Sequence, residues 1–320
     1  MDITSPLTGS IITNPYVAGR PLSGVSASLY VGRDDVFVWF EENLGGPRPS
    51  NALLLYGERR IGKTSTLYQL VQGDRGSRLR ENQSRSMIPV YVDFQRLAGR
   101  PTGEWLQRLA RDIAHKVGMA GVNVPPPEKG APDETSFAVL DRFLDQLENT
   151  LPPGGFILVA VDEFEQLRDG IDSGILDPNV LHYLRSQMQH RERIAFLICG
   201  SKSMLEPFWR PLIDLTVRYE LQRLTHDETV TLIRRPIAGA LAVEERAVEA
   251  IWEHTEGHPF VIQTICHRLV SLANRRQSFE PATLADIEYV IRQLDGEAQS
   301  AQGVVAFQSK PLITSEGTQI

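Results

Sequence analysis

The stretch "LLLYGERRIGKTSTLYQL" at 53–70 constrains the chain most, because an apolar run passes directly into G-x-x-x-x-G-K-T and then into a helical pattern. Glycines let backbone N–H groups turn inward around phosphate oxygens, and the amino end of the following helix adds partial positive charge along its axis. The context gives the match its meaning, since a buried strand precedes the loop and a helix follows it. The candidate phosphate-binding residues are Gly57, Glu58, Arg59, Arg60, Ile61, Gly62, Lys63, Thr64 and Ser65. Lys63 is expected to reach the β- and γ-phosphates and to serve catalysis there, with the Thr64 hydroxyl on Mg²⁺. The alternative is a glycine-containing turn carrying a surface lysine.

Around this loop, short apolar runs alternate with helical segments. Strands are expected at "ALLLY", "IPVYVDF" (88–94), "FILVAV" (156–161), "IAFLICG" and near 217–224, and helices from Lys63, near 103–117, 136–149 and 178–189. Continuous rather than alternating apolarity implies strands buried on both faces, which helices on either side of a parallel sheet supply. The expected fold is α/β, a three-layer P-loop NTPase with a parallel central sheet, followed by a small all-α lid domain. After Leu224 the strand signal ends. "THDETVTLIRR" opens with a capping box, Thr225 and Glu228, and amphipathic runs follow at 244–256, 259–273 and in "PATLADIEYVIRQL". The expected divisions are an arm with a following helix (1–46), the α/β core that carries the loop (47–224), a helical domain (225–296) and a loosely ordered tail (297–320). Residues 1–29 read as an extended arm.

The second half of the candidate site lies at the end of "FILVAVDEFEQL". Asp162, at the end of a buried strand, is placed to hold Mg²⁺ opposite Thr64, and Glu163 to orient or deprotonate an attacking water. The next buried strand ends at Ser201, a candidate for sensing the γ-phosphate or its water, although any Gly-Ser turn after a strand looks the same. Arg210 is either an arginine projected toward a neighbouring subunit's γ-phosphate or a residue stacked on Trp209 or at the surface.

The bulk properties exclude more than they assign. The chain has 320 residues, 42% hydrophobic and 23% charged, and no apolar run approaches the roughly 20 residues that span a bilayer. No membrane association is expected, and the start "MDITSPL" lacks a basic-then-apolar signal pattern. Both cysteines, Cys199 and Cys266, lie inside apolar runs, as small core residues of a reducing compartment do, so a cytoplasmic location is expected. A net charge of −7 does not indicate DNA as a partner, though local "RR" pairs leave that open.

Together these residues resemble the AAA+-like STAND ATPases and their relatives, the archaeal-type and origin-recognition-type ATPases. "NPYVAGRPL" with "LYVGRDDVFVWFEENL" looks like the arm and hydrophobic-Gly-Arg box that such proteins place around adenine, here Tyr30, Val31, Gly32 and Arg33. "TEGHPFVIQTICHRLV" is similar to their Gly-x-Pro signature at the start of a lid helix, with His258 and Pro259 as lid contacts to the base. The resemblance implies ATP or ADP with Mg²⁺ as cofactors and a slow ATPase that switches its assembly, as a homo-oligomer or with a protein partner. The alternatives, ranked after it, are a DNA-handling loader or transposition regulator, and a nucleotide-binding scaffold with little turnover. For the first three divisions of the chain the resemblance implies an adenine-side helix, an ATPase core and a lid. Two departures stand out: Lys202 takes the place where STAND proteins carry an arginine, and a sensor arginine on the lid is not obvious, Arg268 being the nearest.

Overall fold

The computed structural model describes residues 11–46, 49–81, 85–127, 135–278 and 280–300, the side chains of 298–300 excepted. The expected tail therefore falls mostly outside the described residues. Two compact units form, one of Arg33–Gln222 and the other of the described residues of Met1–Gly32 and Arg223–Ile320.

The larger unit opens with α1 (Asp34–Leu44), then β1 (Ala52–Gly57), α2 (Lys63–Val71), α3 (Asp74–Glu81) and β2 (Met87–Asp93). It continues through α4 (Thr102–Met119), α5 (Ser136–Thr150), β3 (Phe156–Asp162), α6 (Gln166–Asp172), α7 (Asn179–His190), β4 (Ile194–Ser201), α8 (Arg210–Ile213) and β5 (Val217–Glu220). All pairings are parallel, in the order β2-β3-β4-β1-β5. Alternation along the inner strands explains the layers. Ile157, Val159, Val161, Phe196 and Ile198 face one core with α4, α5 and α7, while Leu53, Leu55, Leu158, Ala160 and Leu197 face another with α1, α2 and α3. A sheet sealed on both faces has no polar side to spare, so its strands read as unbroken apolar runs. The edge strand β5 is the shortest and is not fully buried anywhere along its length, which is why the expected strand at 217–224 shrinks to its first half. The three-layer α/β fold is as the sequence indicates.

That order sets the site. One strand, β4, lies between β1 and β3, and the registers Gly57↔Ser201 and Asp93↔Asp162 align the carboxyl ends of β1 with β4 and of β2 with β3. Ligand crevices of open parallel sheets form at those ends, where the strand order reverses direction.

The smaller unit contains α9 (His226–Arg234), α10 (Glu245–Thr255), α11 (Pro259–Arg276) and α12 (Leu284–Ser300) around a core of Leu232, Ile251, Ile262, Cys266 and Ile287. The capping box at Thr225 and Glu228 is formed. The arm belongs to this unit. Its backbone is strapped along one face of α11: Ile12 exchanges two hydrogen bonds with the Asn274 amide, both 2.9 Å, Asn14 donates to the His267 carbonyl at 2.8 Å, and Val17 donates to Gln263 at 3.0 Å. Residues Gly24–Leu29 wind into a 3₁₀ turn, so the arm is not extended throughout as the composition suggests.

Gly257 fixes the turn into α11. Its φ is +78°, a Cβ there would lie 2.1 Å from the Leu224 carbonyl oxygen, and its own carbonyl accepts from Leu224 N–H at 2.9 Å. Backbone oxygen cannot step aside as a side chain would. Gly257→Ala is therefore expected to cost about 1–3 kcal/mol of stability, measured by urea denaturation; an unchanged midpoint would mean the turn has another conformation.

Candidate nucleotide site

The loop between β1 and α2 is built from its own residues. Ile61 is buried in the core beside α2, while Arg59 and Arg60 stay exposed, Arg60 at φ +60°. Gly62 takes φ +105°, a conformation that side-chain-bearing residues rarely adopt, and its carbonyl accepts from the Thr66 N–H at 2.9 Å and from the Thr66 hydroxyl at 3.1 Å to start α2. The Lys63 ammonium donates to the carbonyls of Glu58 at 2.8 Å and Gly57 at 3.2 Å, so it curls over the loop rather than leaving for solvent. Ser65 is buried behind it.

The two halves of the sequence pattern meet at Asp162. This carboxylate, only 3% exposed, accepts from the Tyr91 hydroxyl at 3.0 Å and from the Glu163 N–H at 3.1 Å, and the Thr64 side chain stands close enough to favour its anion. Burial pushes its pKa up, and Thr64 and Tyr91 partly oppose that. Glu163 follows at φ +50°, half-buried, its carboxyl also raised, first by burial and then by the charges of Glu165 and Asp162, with Lys63 acting the other way.

The strain at Glu163 has a cause. Asp162 faces α2, yet Phe164 must enter the opposite core, where its ring packs on Phe94 at 5.3 Å and Trp209 at 5.5 Å. Burying a phenylalanine gains about 1.5–3 kcal/mol and each aromatic pair about 0.5–1.5 more, which outweighs the roughly 1–3 kcal/mol of a left-handed residue. Phe164 N–H also donates to the Cys199 carbonyl at 3.0 Å, tying the acidic turn to β4.

Ser201 ends β4, its hydroxyl 2.8 Å from that of Ser203 and its N–H donating to Glu165 at 3.0 Å. Glu165, Tyr91 and Asp93, whose charge also acts on Asp162 and Glu163, were not singled out from sequence. The third acid of "DEFE" was the available signal for Glu165. Arg33 has partners of its own: its buried guanidinium donates to the carbonyls of Gln222 and of Ile61, the latter at 3.0 Å, bracing the loop from beneath, whereas the resemblance gave it to the base. Arg210 is exposed at the start of α8, and Trp209 beside it is buried.

The structure thus brings together Lys63, Thr64, Asp162 and Glu163 in the larger unit. Tyr30, Val31, Gly32, His258 and Pro259 belong to the smaller one. There, Val31 is part of the helical core, Glu228 packs against Gly32 where a side chain would otherwise project, and His258 stands at the N-cap position of the α11 that Pro259 begins, without a side-chain capping bond.

The donors suit a small hard cation with a phosphate: a hydroxyl and a carboxylate, both oxygen, leave room for Mg²⁺ to keep phosphate and water ligands. Thr64 and Asp162 are already in contact, so the residues fit such an ion.

The strand order and the loop define a P-loop fold of the additional-strand class. Solved structures agree. The chain is similar to the ORC1 protein of Aeropyrum pernix in complex with DNA (TM-score 0.56, 18% identity, 85% of this chain and 67% of that one) and to a Walker-type ATPase of Pyrococcus abyssi (0.59, 18%, 88% and 77%). Drosophila ORC bound to DNA is similar at TM-score 0.57 and 12% identity, over 90% of this chain and 66% of that one. At such identities the likeness establishes the fold. No family model and no curated protein matches the chain. Among the described residues no helix is long and apolar enough to cross a membrane.

The raised carboxyls carry a stability cost of known sign. Below about pH 4 they are protonated in both folded and unfolded chains, and as pH rises through their elevated folded values the native state resists ionisation, so stability is lost. The wild type should lose stability relative to Asp162→Asn/Glu163→Gln as pH rises from 4 toward neutrality, read by urea unfolding at several pH values. A difference that is flat with pH would contradict the burial of these charges.

Proposed function

We propose that this chain is an AAA+-type ATPase that binds ATP with Mg²⁺ at the loop 57–65 and hydrolyses it slowly, as a nucleotide switch controlling assembly or signalling. The observation that carries this reading is the approach of the Thr64 side chain to buried Asp162 beside the loop that Lys63 closes. A hydroxyl at the amino end of a helix and a buried carboxylate from a separate strand have no reason to meet in a plain turn.

In this reading the residues divide the work. Lys63 exchanges its carbonyl partners for phosphate oxygens, and the loop N–H groups orient the chain of phosphates. Thr64 and Asp162 hold Mg²⁺, which when bound neutralises developing phosphate charge. Glu163 takes the proton from the attacking water; its raised pKa makes it a better base than an ordinary carboxylate. Ser201, fixed through Glu165, senses the terminal phosphate or the water. Arg210, exposed, is available to a neighbouring subunit.

A DNA-handling ATPase is the second reading, favoured by the DNA complexes among the similar structures and opposed by a net charge of −7.

Lys63→Ala should abolish nucleotide binding while the circular dichroism spectrum stays native; Glu163→Gln should keep ATP and lose about 100-fold or more in turnover. Normal ATP affinity in the first variant would refute the loop assignment, and normal turnover in the second would move the base elsewhere. Native mass with ADP, with a non-hydrolysable ATP analogue, and with each plus DNA separates the switch from the DNA-handling reading: a nucleotide-dependent mass supports the former, and nucleotide-dependent retention of DNA the latter.

A further inference from the structure

Asp162 is held from a second direction that the phosphate-loop pattern does not contain. In the parallel pairing of β2 with β3, Tyr91 lies opposite Ala160, so Asp162 stands two residues further along, roughly 6.6 Å at the usual strand rise. Tyr91 lies on the α2 side of the sheet and spans that step, donating its hydroxyl to Asp162 Oδ2 at 3.0 Å. The other oxygen, Oδ1, accepts the Glu163 N–H.

Helix α2 closes the arrangement. Tyr68 is four residues after Thr64, hence on the same helical face one turn on. Its ring packs on that of Tyr91 with centroids 4.8 Å apart, which brings its phenol close to the Tyr91 hydroxyl. The helix therefore reaches Asp162 twice, directly through Thr64 and indirectly through Tyr68 and Tyr91. Had Tyr91 been there only to fill the core, a phenyl ring would serve, and its hydroxyl would not meet a buried carboxylate.

We propose that Tyr91, clamped by Tyr68, is a positioning residue that fixes the rotamer of Asp162 for Mg²⁺, so that the tyrosine pair sets the concentration of the ion the site requires. This rests on the nucleotide reading above. Outer partners that orient a metal-binding side chain are commonly worth 10–100-fold in metal affinity. Neither tyrosine touches nucleotide or ion in this account. Their effect passes through Asp162 alone.

The test uses Tyr91→Phe and Tyr68→Phe in the full chain, both of which keep the ring packing and lose only the hydroxyl. A fluorescent ADP analogue is titrated in EDTA and over a Mg²⁺ series, and Mn²⁺ bound in the presence of ADP is counted by electron paramagnetic resonance. In Tyr91→Phe, affinity in EDTA is expected to stay within about twofold of wild type, while half-saturating Mg²⁺ and the Mn²⁺ dissociation constant rise about tenfold. Tyr68→Phe should shift both in the same direction by less. If wild type tightens with Mg²⁺ and Tyr91→Phe tightens identically, the positioning role is overturned while the nucleotide reading stands. Equal weakening with and without metal also overturns it, since a merely structural defect would do that. If wild type binds no nucleotide, both fall together.

Discussion

The approach of Thr64 to Asp162 is the contact on which the rest depends, because it joins the first turn of α2 to the end of a strand two positions from β1 in the sheet. It reaches across β4, which lies between β1 and β3, and it needs the strand ends to be level. The sheet in turn requires apolar side chains on both faces, and β3, buried at all seven positions, supplies them. Hydrophobic burial thus fixes where a carboxylate can stand, and the carboxylate is then kept by polar partners that a dry strand end would otherwise lack.

Burial and polarity are in tension at this point, and the structure resolves it locally. Asp162 is pushed toward its protonated form by the surrounding core, while Thr64, Tyr91 and the Glu163 N–H favour the anion. Glu163 sits in a left-handed conformation because Phe164 is drawn into the opposite core. Strain and desolvation of this kind gather at functional sites, where stability is traded for a reactive arrangement. The loop shows the same trade, with Arg60 and Gly62 both at positive φ and the Lys63 ammonium satisfied by carbonyls of the loop itself.

The layers of the larger unit were legible because its strands are buried on both faces: "FILVAV" and "IAFLIC" admit few other readings, and the structure makes them β3 and β4. The nearness of the loop to the acid pair was legible because each follows an unbroken apolar run, and the structure brings Lys63, Thr64, Asp162 and Glu163 together. Other features were not. Helix α3, "DRGSRLRE", is strongly polar and carries little apolar periodicity, since only Gly76 and Leu79 are buried. Tyr91 looks in sequence like an ordinary core aromatic, and only the register of β2 against β3 brings its hydroxyl to Asp162. The hydrogen bonds of Arg33 run to backbone carbonyls, which leave no trace in residue identity.

The most direct measurement is a crystal structure of the chain with Mn²⁺ and a non-hydrolysable ATP analogue, using the anomalous signal of the metal. The account predicts phosphate density cradled by the loop 57–63 and a single anomalous peak at the Thr64 hydroxyl beside Asp162. Nucleotide bound elsewhere, or a metal peak away from these two side chains, would contradict it.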